Sequence, residues 1–418
     1  MEDVKLEDIA KAVGTPVYVY SSAQFENNFK AYKHSFEALM PDFPVTICYA
    51  CKANSNIAVL RTLQRLGAGA DIVSSGELSR AREAGIPSER IVFSGVGKSY
   101  NELSHALREN IFQINVESLE ELELLSKVAT DLKTTAPIAL RINPDVDAKT
   151  HKKITTGKKE NKFGIDFDRA LEAYQIAASL PGIVPMGLTM HIGSQLLDTA
   201  PFKNAFKRMA KLVTLLRDNG HDIQRIDLGG GVGITYSQDD CAFNLNDYVA
   251  LVRDIIAPLG CHIILEPGRS IAGDAGVLVS ETLFVKKGNT REFVILDAAM
   301  NDLMRPALYD AYHPIWPCQK SQTDPKTTEY DIVGPVCETG DSFALSEKLP
   351  QIRQGDYIAL MMSGAYGAVM ASTYNTRPLA AEVMVKGGQY SIIRRRWTVE
   401  DILKQEQYPS WLDPESKE

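Results

Sequence analysis

Val45-Thr-Ile-Cys-Tyr-Ala-Cys-Lys52 is the stretch that decides the fold, because it reads as a buried strand that runs into a lysine. Alternate residues of a strand share one face, so we expect Thr46, Cys48 and Ala50 to lie on the same side as Lys52. That face is small and nearly apolar, which leaves room for a long side chain and favours a neutral amine. A lysine in this setting can form a Schiff base with a carbonyl compound. The alternative is a strand that simply leaves the core at a solvent-exposed lysine.

From this strand onward, short apolar runs alternate with amphipathic helical patterns such as 58–66 and 202–219. The apolar runs begin near residues 45, 69, 90, 111, 137, 183, 224 and 261. This alternation predicts parallel βαβ units, and eight of them match a (β/α)8 TIM-like barrel. A doubly wound open sheet would carry its phosphate-binding glycines at the first βα turn, where this chain has Lys52. We therefore favour the barrel.

Beyond Arg269 the pattern changes to short apolar runs bounded by Gly, Asp and Asn, with few helical patterns between them. Such runs are typical of a mostly antiparallel β domain. We expect three segments: an N-terminal strand that joins the C-terminal β domain (1–25), a barrel (26–270) and a β-rich C-terminal domain (271–418).

The connection from Asn143 to Ile165 is unusually long and rich in lysine. Connections of this length are typical of lids or of solvated loops. The last residues, 413–418, are expected to fray.

Composition limits the classes of function. The 418 residues are 44% hydrophobic and 23% charged with a formal net charge of −8, which is ordinary for a globular enzyme and argues against a nucleic-acid surface. Residues 1–8 are acidic and no long apolar run follows, so we expect neither a secretory signal nor a membrane span. The six cysteines are dispersed, which predicts reduced thiols in a cytoplasm. The seven histidines show no metal-binding spacing, so we expect no metal site.

Three further features lie where barrel strands are expected to end, the rim at which barrel enzymes place their active sites. The glycines of Leu228–Gly233 follow the seventh strand and can wrap an anion with backbone N–H groups, or can form a plain tight turn. Glu266 ends the eighth strand and could hold a heteroaromatic nitrogen protonated, or could pair with Arg269 for structural reasons. His191 could stack on a planar cofactor or could be an ordinary core histidine. Together with Lys52, these features are the parts of a pyridoxal phosphate site.

The motifs resemble those of the alanine-racemase-fold pyridoxal phosphate decarboxylases, and in particular the diaminopimelate decarboxylases. The resemblance covers about Pro16 to Arg395. It rests on Tyr49-Ala-Cys-Lys-Ala-Asn54, His191-Ile-Gly-Ser-Gln195, Asp227-Leu-Gly-Gly-Gly-Val-Gly233, Glu266-Pro-Gly-Arg269, Arg305-Pro-Ala-Leu-Tyr309, Gly334-Pro-Val-Cys-Glu-Thr-Gly-Asp341 and Gly364-Ala-Tyr-Gly-Ala-Val-Met-Ala-Ser-Thr-Tyr-Asn375.

The resemblance implies roles for individual residues. Lys52 would carry the cofactor as a Schiff base, Glu266 would pair with the pyridine nitrogen, and His191 would stack on the ring. The remaining cofactor contacts would come from Asp71, Ser194, Gly230, Gly231, Pro267, Gly268, Arg269 and Tyr366. Cys337, contributed across the interface of a homodimer, would protonate the carbanion left by carbon dioxide. The substrate would be bound by Arg269, Arg305, Tyr309, Glu338 and Tyr366.

The implied reaction is decarboxylation of meso-2,6-diaminopimelate to L-lysine, the last step of lysine biosynthesis. Its substrate has a second amino-acid end, which needs a cation for the carboxylate and an anion for the ammonium, and Arg305 and Glu338 could supply these. The alternatives are a related decarboxylase for ornithine, arginine or carboxynorspermidine, and a protein that binds the cofactor or other proteins without catalysis.

Overall fold

The computed structural model describes residues 1–146, 162–237, 239–319 and 327–412. Most of the lysine-rich connection and the C-terminal tail, 413–418, lie outside the described residues. The chain divides into two compact units, Ser22–Ala275 and a second unit made of Met1–Ser21 together with Gly276–Glu418. The domain boundaries expected after residues 25 and 270 stay a prediction.

The strands of the described residues are β1 (Val17–Ser21), β2 (Val45–Ala50), β3 (Gly69–Ile72), β4 (Ile91–Phe93), β5 (Gln113–Val116), β6 (Ala136–Asn143), β7 (Ile165–Asp166), β8 (Ile183–Thr189), β9 (Arg225–Asp227), β10 (His262–Leu265), β11 (Gly276–Lys287), β12 (Glu292–Leu296), β13 (Ile315–Pro317), β14 (Thr327–Val333), β15 (Ser342–Pro350), β16 (Tyr357–Leu360), β17 (Ala381–Lys386) and β18 (Gln389–Arg394). The α-helices are α1 (Leu6–Val13), α2 (Ser22–Leu39), α3 (Ile57–Gln64), α4 (Ser75–Glu83), α5 (Tyr100–Arg108), α6 (Leu119–Asp131), α7 (Ala170–Ser179), α8 (Ala200–Asp218), α9 (Leu245–Leu251), α10 (Arg269–Ala272), α11 (Arg305–Tyr309) and α12 (Val399–Leu403). Among these helices, none combines the length and the apolar character needed to cross a bilayer.

The first unit is a closed parallel barrel, which confirms the predicted fold class. Its strands are neighbours in the order β5-β4-β3-β2-β10-β9-β8-β6, and β5 pairs with β6 to close the ring. Within the described ranges the short strand β7 pairs only with β6, and it was not expected from the sequence. All eight predicted apolar runs contain or adjoin a barrel strand, because parallel strands covered on both faces read as continuous apolar sequence.

Small polar residues end the βα turns by capping the helices that follow. The side chains of Asn56, Ser74 and Ser118 accept hydrogen bonds from the first backbone N–H groups of α3, α4 and α6. Ser99 and Glu102 form a capping box at α5. These caps satisfy donors that a helix start leaves open, and they fix the rim loops of the barrel.

Lys52 does not continue the strand, and this expectation from the sequence is wrong. Strand β2 ends at Ala50, and Lys52 is the central residue of a single 3-10 turn, Cys51–Ala53. The backbone N–H of Ala50 donates to the carbonyl of Pro267 at 3.0 Å, so the turn begins where the strand is tied to the turn after β10.

The second unit is a mostly antiparallel sheet, as predicted, in the order β15-β14-β12-β11-β1-β17-β18. Strand β16 also pairs with β11, and β13 pairs with β16. The N-terminal strand β1 lies between β11 and β17, so residues at both ends of the chain share one sheet. Valines of these three strands form the core, among them Val19, Val279 and Val383.

Candidate cofactor-binding and active site

The amine of Lys52 is held at the carboxyl end of the barrel strands by Asp71. Lys52 Nζ donates to Asp71 Oδ2 at 3.0 Å, and the two residues come from the ends of adjacent parallel strands, β2 and β3. The Lys52 side chain is 40% exposed, whereas that of Asp71 is fully buried. Asp71 Oδ1 has no hydrogen-bond partner within the described part of the chain. The ion pair therefore orients an amine that a small molecule can still reach.

The glycine loop after β9 packs directly on the turn after β10. A Cβ atom on Gly230 would collide with the backbone carbonyl of Glu266, and Gly231 has a φ of +110°, which side chains rarely tolerate. The backbone N–H of Glu266 donates to the carbonyl of Gly229 at 2.8 Å. Pro267 and Gly268 continue this turn into α10. The close approach requires glycine and leaves a bare backbone surface of the kind that wraps anions.

A buried polar cluster lies beneath this turn. Asn115 Nδ2 lies 3.0 Å from Asp227 Oδ2 and 3.1 Å from Glu266 Oε1, and Ser94 Oγ also donates to Glu266 Oε1, at 3.1 Å. The other oxygen of Asp227 accepts from the N–H of Gly229 at 2.9 Å, so Asp227 contacts both the glycine loop and the network around Glu266.

Glu266 keeps its proton more readily than an ordinary carboxyl group. Burial, followed by the charges of Asp227 and Asp71, raises its pKa well above the usual value, and Lys52 opposes this shift. Burial also raises the pKa of Asp227. Ionising both of two buried carboxyl groups at this separation is costly, so the pair favours a state in which one of them keeps its proton.

His191 lies just beyond β8 and faces the same loop. The N–H of Gly230 donates to His191 Nδ1 at 3.4 Å, so this nitrogen is an acceptor. Burial, with the positive charges of Arg141 and Lys52, lowers the pKa of His191 well below its usual value. The imidazole is therefore neutral and able to present a flat face. Ser194 follows three residues later and is half-buried.

Charged side chains brace the neighbouring rim loops. Glu117 accepts from Arg141 Nη1 at 2.7 Å, from the N–H of Gly95 at 3.1 Å and from the N–H of Gly164 at 3.0 Å. Arg269, the first residue of α10, donates from Nη1 to the hydroxyl of Tyr236 at 2.7 Å. These contacts hold loops from several strands in one arrangement.

The second unit carries the other predicted site residues. Arg305 is buried at the start of α11, and Tyr309, at the end of that helix, is half-buried. Tyr366 has a φ of +57°, a left-handed conformation that is uncommon for an aromatic residue and that clusters at functional positions. Cys337 and Glu338 are exposed, and Glu338 accepts a hydrogen bond from the hydroxyl of Tyr374.

The barrel residues fit a phosphorylated heteroaromatic aldehyde. Pyridoxal phosphate requires four kinds of group, and all are present: an oriented and accessible amine, a glycine loop with a bare backbone, a buried acid that holds a proton, and a neutral imidazole. The unsatisfied Oδ1 of Asp71 adds a buried acceptor beside the amine. In the described ranges, no group of three or more His, Cys, Asp or Glu residues is arranged to hold a metal ion.

Some contributors were not assigned a role from the sequence. Ser94, Asn115 and Arg141 were visible only as polar residues at strand ends, and nothing in the sequence joined Asp227 to Glu266. The sequence offered one sign of a role for Asp227, which is that this carboxylate directly precedes the glycine loop. The side chain of Gln195 hydrogen-bonds the backbone of Ile234 in both directions, a contact that the sequence did not indicate.

Residues 22–273 match a family model described as the pyridoxal-dependent decarboxylase pyridoxal-binding domain. A diaminopimelate decarboxylase from Zymomonas mobilis is 46% identical over 413 residues, covering 99% of this chain and 97% of that protein. The match spans both units of the chain.

Solved structures agree with this similarity. The diaminopimelate decarboxylase of Helicobacter pylori, crystallised with L-lysine, superposes with a TM-score of 0.91 at 42% identity, covering 96% of this chain and 98% of that chain. The corresponding enzyme of M. jannaschii, also in complex with L-lysine, gives a TM-score of 0.92 at 36% identity, covering 97% and 95% of the two chains.

Proposed function

The chain belongs to the diaminopimelate decarboxylase family of pyridoxal-dependent decarboxylases, and we propose that it converts meso-2,6-diaminopimelate into L-lysine and carbon dioxide at the barrel rim around Lys52. One observation carries the placement of the site: the amine of Lys52, fixed 3.0 Å from buried Asp71, opens on the rim that also bears the glycine loop and Glu266. This product makes the reaction a step of lysine biosynthesis.

When bound, pyridoxal phosphate supplies an electron sink for the carbanion that loss of carbon dioxide leaves behind. Lys52 would hold the group covalently through Nζ, with Asp71 keeping the amine in position. Glu266, which burial and neighbouring charges favour in its protonated form, would share that proton with the ring nitrogen, and its carboxylate would then stabilise the protonated ring. Asp227 and Asn115 would hold Glu266 in place.

The remaining barrel residues would fix the cofactor's orientation. The backbone of Gly230 and Gly231, the side chain of Ser194 and the turn formed by Pro267, Gly268 and Arg269 would bind the phosphate. His191, neutral because of burial and nearby cations, can stack on the ring without adding a charge. Tyr366 would also contact the cofactor.

Substrate recognition would use both charges of the substrate's unreacting end. Arg305 would bind the distal carboxylate, and Glu338 would bind the distal ammonium. Tyr309, Tyr366 and Arg269 would complete the substrate pocket. A substrate that lacks the distal carboxylate, such as ornithine, leaves the cation of Arg305 without its counterpart and should bind less well.

Cys337 would deliver the proton that replaces carbon dioxide. The thiol is exposed on its own chain, which suits a residue that acts in the site of a second copy. We therefore infer a homodimer with shared active sites. We also infer a cytoplasmic location, because all six cysteines are free thiols, the form that a reducing compartment maintains.

A comparison of substrates tests the proposed activity. Purified protein loaded with pyridoxal phosphate is given meso-2,6-diaminopimelate, ornithine, arginine or carboxynorspermidine, and carbon dioxide release is measured for each. We expect kcat/KM to be highest for diaminopimelate. A preference for one of the others would replace the assigned substrate, and no release from any of them, despite bound cofactor, would favour a non-catalytic protein.

A further inference from the structure

A buried histidine in the second unit contacts Arg305, the cation expected to bind the distal carboxylate. Arg305 Nη1 is 2.8 Å from His313 Nε2, and only 6% of Arg305 and 1% of His313 are exposed. The second ring nitrogen, Nδ1, is 2.8 Å from the carbonyl oxygen of Met361. The imidazole therefore spans the space between the guanidinium and the backbone.

These two contacts determine the tautomer of the ring. An arginine side chain has only donors, so His313 Nε2 must be the acceptor and must carry no hydrogen. A backbone carbonyl has only lone pairs, so Nδ1 must carry the hydrogen and donate it to Met361. His313 is consequently a neutral imidazole in the Nδ1–H form, and it can make both bonds in no other protonation state.

The backbone on both sides of His313 is held by sheet pairing. His313 precedes β13, which pairs antiparallel with β16, and Met361 directly follows β16. The N–H of Met361 donates to the carbonyl of Pro314 at 2.8 Å, which extends the same ladder to the position beside His313. The ring is therefore anchored to a sheet, whereas Arg305 lies at the start of a helix of only five residues.

We propose that His313 is a positioning residue that aims the guanidinium of Arg305 and thereby sets the enzyme's affinity for substrates with a distal carboxylate. This inference rests on the proposed function, because it takes Arg305 as a substrate-binding residue. A neutral acceptor suits the task, since it fixes the direction of the guanidinium without cancelling its charge. A carboxylate at position 313 would orient Arg305 equally well but would compete with the substrate.

A double-mutant cycle tests the proposal. We expect His313→Leu to raise KM for diaminopimelate about 10-fold, with kcat changed less than about 3-fold, because the lost interaction acts on binding. His313→Gln, which keeps an acceptor and a donor, should recover much of the affinity. In an Arg305→Met background, His313→Leu should have almost no further effect, since residues that act as a unit are not additive. His34→Leu, an exposed histidine of α2, is the control and should match the wild type.

The possible outcomes distinguish a failure of this inference from a failure of the proposed function. If Arg305→Met leaves KM unchanged, the substrate role of Arg305 fails and the inference fails with it. If Arg305→Met raises KM but His313→Leu does not, or if the two effects multiply, only the inference is overturned. The ¹⁵N NMR spectrum of the wild-type protein, labelled at histidine, reports the tautomer without any substitution that could destabilise the fold. A His313 ring protonated at Nε2 would contradict the proposal.

Discussion

Lys52 Nζ and Asp71 Oδ2 are 3.0 Å apart, and they join a half-exposed amine to a carboxylate that is fully buried. The pair bridges two adjacent strand ends of the barrel, where Ala50 is in register with Asp71. The packing around a buried carboxylate holds it in place, and the carboxylate in turn positions the amine that it binds. This relationship underlies the proposal that Lys52 is the reactive residue.

Asp71→Asn keeps the shape of the side chain but removes its charge. We expect kcat/KM to fall on the order of 10- to 100-fold, because a partly buried charge-assisted hydrogen bond contributes about 1.5–3 kcal/mol. Borohydride trapping of pyridoxal phosphate on Lys52 should also slow. Glu26→Gln removes one partner of the more exposed Lys30–Glu26 pair on α2 and should change neither quantity. Equal effects of both substitutions would argue against a specific role for Asp71.

Gly230→Ala places a methyl group against the carbonyl of Glu266. The glycine loop must then move away from the turn after β10, and we expect the dissociation constant for pyridoxal phosphate to rise at least about 10-fold. Fluorescence titration of the cofactor-free protein measures this constant. Gly97→Ala is the control, because a Cβ atom there meets open space on a neighbouring rim loop. If Gly230→Ala binds pyridoxal phosphate as tightly as the wild type, the phosphate does not bind at this loop.

Glu266 makes the stability of the cofactor-free protein depend on pH. Burial and the charges of Asp227 and Asp71 raise its pKa in the folded state, so the folded protein holds a proton that the unfolded chain has already released. Its contribution to stability therefore declines as pH rises from the ordinary carboxyl pKa towards the raised value. Glu266→Gln, which cannot ionise, should stabilise the cofactor-free protein relative to the wild type at pH 8, and should do so less at pH 5.

Urea unfolding of cofactor-free wild type and Glu266→Gln at the two pH values measures this difference. Glu37→Gln, at an exposed position of α2, controls for the loss of a surface charge. A gain of the same size at pH 5 and pH 8 would mean that Glu266 does not titrate differently in the folded and unfolded states.

Shared active sites in a dimer predict complementation between inactive variants. Lys52→Ala and Cys337→Ala homodimers should each turn over very slowly, whereas a heterodimer of the two has one site with both residues intact. Random mixing of the two chains should therefore restore about one quarter of wild-type activity. Two affinity tags allow the heterodimer to be isolated. A purified heterodimer as inactive as its parents would place Cys337 in the site of its own chain or outside the site altogether.

The barrel could be predicted from the sequence because its strands are buried on both faces and read as separate apolar runs. The turn that carries Lys52 could not, since the last residue of β2, Ala50, hydrogen-bonds the backbone of Pro267, a residue far along the chain. The cluster of Asn115, Asp227 and Glu266 was invisible for a similar reason. Its contacts span 112 and 151 residues and exist only because the barrel closes.

The second unit was the harder part to predict. The exposed thiol of Cys337 and the half-buried ring of Tyr309 were selected by resemblance alone, because neither stands out by pattern. His313 lies eight residues after Arg305, a spacing with no regular meaning outside a continuous helix. Its importance becomes visible only when the sheet brings Met361 to the other side of the ring.

The most direct test of the central claim measures the carbon dioxide and the lysine that the wild type and Lys52→Ala form from meso-2,6-diaminopimelate. With saturating pyridoxal phosphate, the wild type should release both products in equal amounts. The variant should release neither above the uncatalysed rate, although its far-ultraviolet circular dichroism should be unchanged. Sustained equimolar release by Lys52→Ala would contradict the account, because the reaction would then proceed without the amine around which the site is built.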